Sequence, residues 1–223
     1  DLNEIAARNL AKIGDRWLET TTGAKGARRF DDPYPEDERF PRRFLITVET
    51  APDRLGRRRT ILQYQGRQFG DELGDNASVD DGYRLHDVFH LAFVAVLGWS
   101  PVLRKEKFFN CKRRSDPNVD EIEDGGRAAV IDEAIVALIF VEASKNSFYS
   151  DIEVVDYGVL RTIKELTGHL EVARCTAKDW ETAILASFKV WRAMRENPVG
   201  TLRGDMNLRS IEFAPAERGR TSR

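Results

Sequence analysis

The segment His86-Asp87-Val88-Phe89-His90 sets two imidazoles four residues apart with a carboxylate between them. On a helix this spacing puts both rings on one face, with Asp87 at its border. The string reads HDxxH, one methylene short of the HExxH of zinc proteases, where the histidines bind metal and the glutamate is general base. An aspartate in that role needs a closer water. Asp132 and Glu133 interrupt a second apolar stretch. Buried carboxylates are costly unless paired, hydrogen-bonded or bound to a cation. These five residues are therefore expected to find one another or an ion. With Glu133 as third ligand they would give a His₂Glu zinc set with one open position. The competing reading is structural: a buried His–carboxylate pair that pins two helices, or carboxylates answered by Arg84, Arg104 or Arg127.

The elements that must position these groups follow from periodicity. Residues 83–97 read as a helix capped by Asp80 or Asp81 and closed by Gly98 and Pro101. From Phe89 onward it is apolar on every side except at His90, so it belongs at the centre of the domain. A second buried helix spans about 127–144, and amphipathic helices span roughly 156–166 and 177–196, the last closed by Asn197-Pro198. Helical spacing of Ile5, Leu10, Ile13 and Trp17 predicts a helix over about 1–19. The β-rich runs Phe44 to Val48 and Thr60 to Gln65 predict an antiparallel hairpin or small sheet, and 201–213 an edge strand or extended arm. The fold class expected is α+β, mostly α.

Hydrophobic residues are 41% and charged residues 32% of the chain, a globular balance. A formal net charge of −2 excludes a nucleic-acid-binding polycation. The charge is uneven: Arg57 to Arg59 and Lys112 to Arg114 are basic, and 116–124 is acidic. Arg104, Arg113 and Arg114, with Lys105 and Lys107 nearby, suit an oxyanion such as phosphate, against the alternative of a solvated charged loop. Two cysteines without a C-x-x-C argue against a thiolate zinc site and suit a reducing compartment. No secretory leader opens the sequence, and neither apolar helix reaches the roughly 20 residues that span a bilayer. A cytoplasmic protein without membrane attachment is expected.

Two sets of segments resemble a known family. Asn3 to Ile13, followed by Asp15-Arg16-Trp17, carries Asn9, Lys12 and Arg16 in an order that resembles the tail of a MazG-type domain. Tyr83 to Ala92, Leu97 to Arg104, Glu123 to Ala128 and Asp132-Glu133-Ala134 resemble the domain found C-terminal to MazG-like modules. The resemblance implies an all-α nucleotide pyrophosphohydrolase lineage, in which Mg²⁺ held by carboxylates on two neighbouring helices cleaves the α–β phosphoanhydride of a nucleoside triphosphate. The EExxE signature of that lineage is absent from this sequence. Either the carboxylate-bearing helices lie upstream, or His86, Asp87 and His90 facing Asp132 and Glu133 form a degenerate pair.

The expectations are then specific. Residues 1–22 form a helix like the end of a MazG-type domain, 23–82 a loop and β-hairpin, 83–213 a helical C-terminal domain and 214–223 a tail. His86, His90 and Glu133 act in acid–base or ligand roles. Asp87, Asp132 and Glu133 bind a divalent cation, Mg²⁺ or Mn²⁺ before Zn²⁺, although two histidines favour Mn²⁺ or Zn²⁺. Lys12, Arg104, Arg113 and Arg114 contact phosphate. The substrate is a nucleoside triphosphate, the partners a second copy in a homodimer and an upstream MazG module. The alternatives are a zinc hydrolase built on HDxxH and a regulatory or dimerisation domain without catalysis.

Overall fold

A computed structural model of the protein describes residues 1, 3–8, 27–52, 54, 58–72 and 80–216. Residues 3–8 are helical (α1), and the remainder of the helix expected over 1–19, with Lys12, lies outside the described residues. The other α-helices are α2 (Asp87–Leu97), α3 (Pro117–Ile122), α4 (Gly126–Ser144), α5 (Tyr157–Leu166) and α6 (Ala177–Glu196). The strands are β1 (Arg43–Pro52), β2 (Arg58–Tyr64), β3 (Arg67–Gln68), β4 (Gly200–Asp205) and β5 (Ser210–Pro215). The architecture is α+β and mostly α.

The sheet is wholly antiparallel, in the order β3-β2-β1-β4-β5. It is wider than the hairpin expected from 43–65, because 200–215 forms a second hairpin whose first strand pairs with β1, setting Ile46 opposite Leu202. Alternation fixes which side faces inward: Phe44, Ile46, Val48, Leu62 and Leu202 are buried, while Arg43, Leu45 and Arg203 are exposed.

Helix α2 packs against α6, β4, β5 and α4. All eleven of its residues are buried, as its apolar circumference requires. Its C-terminus is set by Gly98, at φ +76°, whose N–H closes on Val94 O at 3.0 Å. A side chain there would meet the carbonyl of Arg28, since a Cβ would sit 1.7 Å from that oxygen. The N-terminus differs from expectation. Tyr83–Leu85 is a 3₁₀ turn, and the α-helix begins only at Asp87. Asp80 and Asp81 serve that turn, accepting from Gly82 N and Tyr83 N at 2.9 and 2.8 Å. His86 therefore stands at the junction of two helical segments.

Helix α6 has the bounds its periodicity predicts. Thr176 and Asp179 close a capping box at its start. No helix among the described residues is long and apolar enough to cross a membrane.

Candidate functional site

The two apolar helices bring their polar residues together. His90 Nδ1 lies 2.9 Å from Asp132 Oδ1, and His90 Nε2 lies 3.3 Å from Glu133 Oε2. Both His90 and Asp132 are completely buried, whereas the Glu133 side chain is 45% exposed. The line Asp132–His90–Glu133 thus runs from the core to the surface. Asp132 is anchored from behind: its Oδ2 accepts from Ser100 Oγ at 2.6 Å and from Val102 N at 3.3 Å. The turn after Gly98 supplies both donors.

His86 completes the group. Its Nδ1 is 3.1 Å from the carbonyl oxygen of Tyr83, so that nitrogen carries the hydrogen and donates it. Its Nε2 faces Asp87 Oδ1 at 3.4 Å. The Tyr83 ring stacks on the imidazole at 5.0 Å and 9°, holding its plane. His86, His90 and Glu133 each offer one ligand atom, and the three lie within 4.8 Å of one another.

Asp87 borders this group. Its Oδ1 is 3.4 Å from His86 Nε2, and its side chain is only 5% exposed. Its Oδ2 is buried with no hydrogen-bond partner. Gly70 lies against that oxygen; a Cβ at Gly70 would come within 3.2 Å of it and 2.6 Å of Phe108.

Electrostatics follow from this burial. Burial raises the pKa of Asp87, opposed by the charges of His86, His90 and Lys107. For His90 burial works the other way, but Asp132, by charge and hydrogen bond, and Glu133 outweigh it and raise the pKa to about 10. In the ion-free chain the ring holds both hydrogens, one donated to each carboxylate. The hydrogen bond from His90 keeps Glu133 below its ordinary value, against its partial burial, with help from His86 and Lys105.

The expected phosphate contacts lie elsewhere. Arg104 is buried and donates to the carbonyls of Glu38 and Cys111 at 3.1 and 2.9 Å, while its guanidinium pairs with Asp31 and Asp124. Arg113 forks onto Asp124 and onto Glu171, with bonds of 2.6 to 3.1 Å. Both guanidiniums are spent inside a buried ion network, so neither is presented to a ligand. Arg114 is exposed, and Lys12 lies outside the described residues. Asp132 sits behind His90 with both oxygens engaged and is not one of the three residues whose ligand atoms converge. Sequence reasoning missed Ser100, Tyr83 and Gly70. Ser100, the polar residue just past the helix stop at Gly98, carried a weak signal. The roles of a Tyr83 carbonyl and a Gly70 approach carried none.

A family model described as the MazG C-terminal domain matches residues 25–217. The chain belongs to the MazG C-terminal domain family. The match contains every residue of the His–carboxylate cluster and leaves out the first helical segment. No curated protein and no solved structure matches the chain. Within this MazG C-terminal domain the Mg²⁺ chemistry implied by the resemblance meets a mismatch. Mg²⁺ takes oxygen ligands and keeps waters, while the cluster offers two imidazole nitrogens for one accessible carboxylate.

Proposed function

We propose that this MazG C-terminal domain acts on nucleotide phosphoanhydrides, releasing pyrophosphate from a nucleoside triphosphate in the presence of a divalent cation. The observation that carries the reading is the buried Asp132–His90 pair, which presents an imidazole edge to half-exposed Glu133 at 3.3 Å. A carboxylate and an imidazole in contact, reached from solvent on one side, can pass a proton to or from a bound water. Lys105, whose charge reaches Glu133, supports an anionic substrate, whereas Lys107 is paired with Asp71. Two buried free thiols, Cys111 and Cys175, suit the cytoplasmic setting that belongs to this proposal.

The test is pyrophosphate release from each nucleoside triphosphate with Mg²⁺, Mn²⁺ or Zn²⁺, comparing the wild type with Glu133→Gln. The substitution keeps shape and removes charge, and it should lower turnover by about 100-fold or more. If no nucleotide is cleaved by the chain or by a longer protein that contains it, the reading fails. If a longer protein is active and Glu133→Gln leaves its rate unchanged, the reaction lies outside this domain.

A second reading, a dimerisation module without catalysis, is favoured by the outer face of α4. Val130 and Val141 are 68% and 56% exposed there, with exposed Ala134 and Ala137 between them at helical spacing. Sedimentation of the wild type against Val130→Glu decides it: a dimer that the substitution dissociates supports this reading, and a wild-type monomer removes it.

A further inference from the structure

We infer that His86 Nε2, His90 Nε2 and the Glu133 carboxylate form a binding site for a divalent transition ion, zinc above all, and not for Mg²⁺. The inference deepens the reading above and shares its residues, but it concerns binding alone.

Both imidazoles are oriented in the way a metal ligand requires. A ligating histidine ordinarily donates its second ring N–H to a carboxylate or a backbone carbonyl, which fixes the tautomer and aims the other nitrogen. His86 meets this condition through Tyr83 O at 3.1 Å, and His90 through Asp132 at 2.9 Å. Asp132 is itself held by Ser100 and by Val102 N. Such a supporting layer behind two histidines is more than a helix pin needs, because the pin requires only the His90 pair.

The spacing suits a small ion. Ligand atoms about 2 Å from a tetrahedral zinc stand roughly 3–3.5 Å apart. His90 Nε2 and Glu133 Oε2 already lie at 3.3 Å, and all three ligand atoms fall within 4.8 Å. A small rotation of half-exposed Glu133 brings its carboxylate closer to the imidazoles.

Asp87 borders the site. It is a buried carboxylate whose Oδ1 stands 3.4 Å from His86 Nε2, while its unpartnered Oδ2 lies against Gly70. A native chain seldom leaves such an oxygen alone. The donor set then selects the ion. Two imidazoles and one carboxylate suit Zn²⁺, with Mn²⁺ weaker in the usual affinity order, and leave a position open for water or substrate.

The test is a zinc titration of the chelator-stripped chain against a chromophoric zinc indicator, without substrate. The inference expects one tight ion per chain, no displacement by a large excess of Mg²⁺, and d–d absorption of a low-coordinate site when Co²⁺ is bound. His86→Ala and Glu133→Gln should each weaken binding by about 10-fold or more, while His169→Asn, at the third and exposed histidine, should change nothing. Both ligand substitutions lie at partly exposed positions, and circular dichroism checks that they fold. Glu133→Gln decides the matter if His86→Ala does not fold. Absence of stoichiometric zinc, equal affinity in folded Glu133→Gln, or displacement by Mg²⁺ overturns the inference. Zinc bound without pyrophosphate release would sink the hydrolase reading and leave this one standing; pyrophosphate release with Mg²⁺ and no zinc binding would do the reverse.

Discussion

His90 Nδ1 and Asp132 Oδ1 meet at 2.9 Å with neither side chain reaching solvent. This bond joins α2 to α4 through the one polar position that follows Asp87 on an otherwise apolar helix. Removing one member of a buried ion pair leaves the other charge uncompensated. Asp132→Ala is therefore expected to destabilise the chain by about 3–5 kcal/mol. Denaturant unfolding measures it, and a loss below about 1 kcal/mol, the scale of an exposed ion pair, would show that the pair is unimportant to the fold.

Arg113 separates a structural role from a phosphate-binding one. It pairs with Asp124 and Glu171 inside the protein. Arg113→Ala should cost stability on the order of 3–5 kcal/mol and leave the nucleotide KM of the folded fraction unchanged. A raised KM at unaltered stability would restore the phosphate role expected from sequence.

Gly98 is required twice over, by its φ of +76° and by the Arg28 carbonyl in the path of any Cβ. Gly98→Ala should lose at least about 1–2 kcal/mol from the left-handed backbone alone, and more from the displaced carbonyl. A thermal midpoint equal to that of the wild type would contradict this account of the α2 terminus.

The raised pKa of His90 has a sign that can be checked. A basic group whose folded pKa exceeds its unfolded value stabilises the fold fully below the unfolded pKa, and that contribution is lost as pH rises through the folded value. For His90 the window runs from its ordinary 6.5 to about 10. The ion-free wild type should lose stability across that range, and His90→Gln, where it folds, should show a flatter profile. Parallel profiles for the two proteins would assign the loss to other groups.

Convergence of His90 with Asp132 and Glu133 was legible because burial leaves lone polar side chains few alternatives. Helix α6 was legible because its period and its Asn197-Pro198 stop agree. The second hairpin was less so: β4 is short, and its two glycines, Gly200 and Gly204, weaken the strand pattern although Leu202 keeps the inward register. Arg104 and Arg113 misled for a different reason. Both share Asp124, but their other partners Asp31 and Glu171 lie 73 and 58 residues away, so local charge counting leaves them partly available to a ligand. The break at His86 was also hidden, since a 3₁₀ turn followed by an α-helix carries almost the same apolar pattern as one continuous helix.

Anomalous diffraction at the zinc edge, from crystals of the chain grown with zinc, tests the central claim most directly. The account predicts a single peak within about 2.0–2.2 Å of His86 Nε2, His90 Nε2 and a Glu133 oxygen, with Asp132 still bonded to His90 Nδ1 behind it. Zinc found only at other positions, with His90 still bridging Asp132 and Glu133 through its two nitrogens, would contradict it and leave the cluster as a structural pin between two helices.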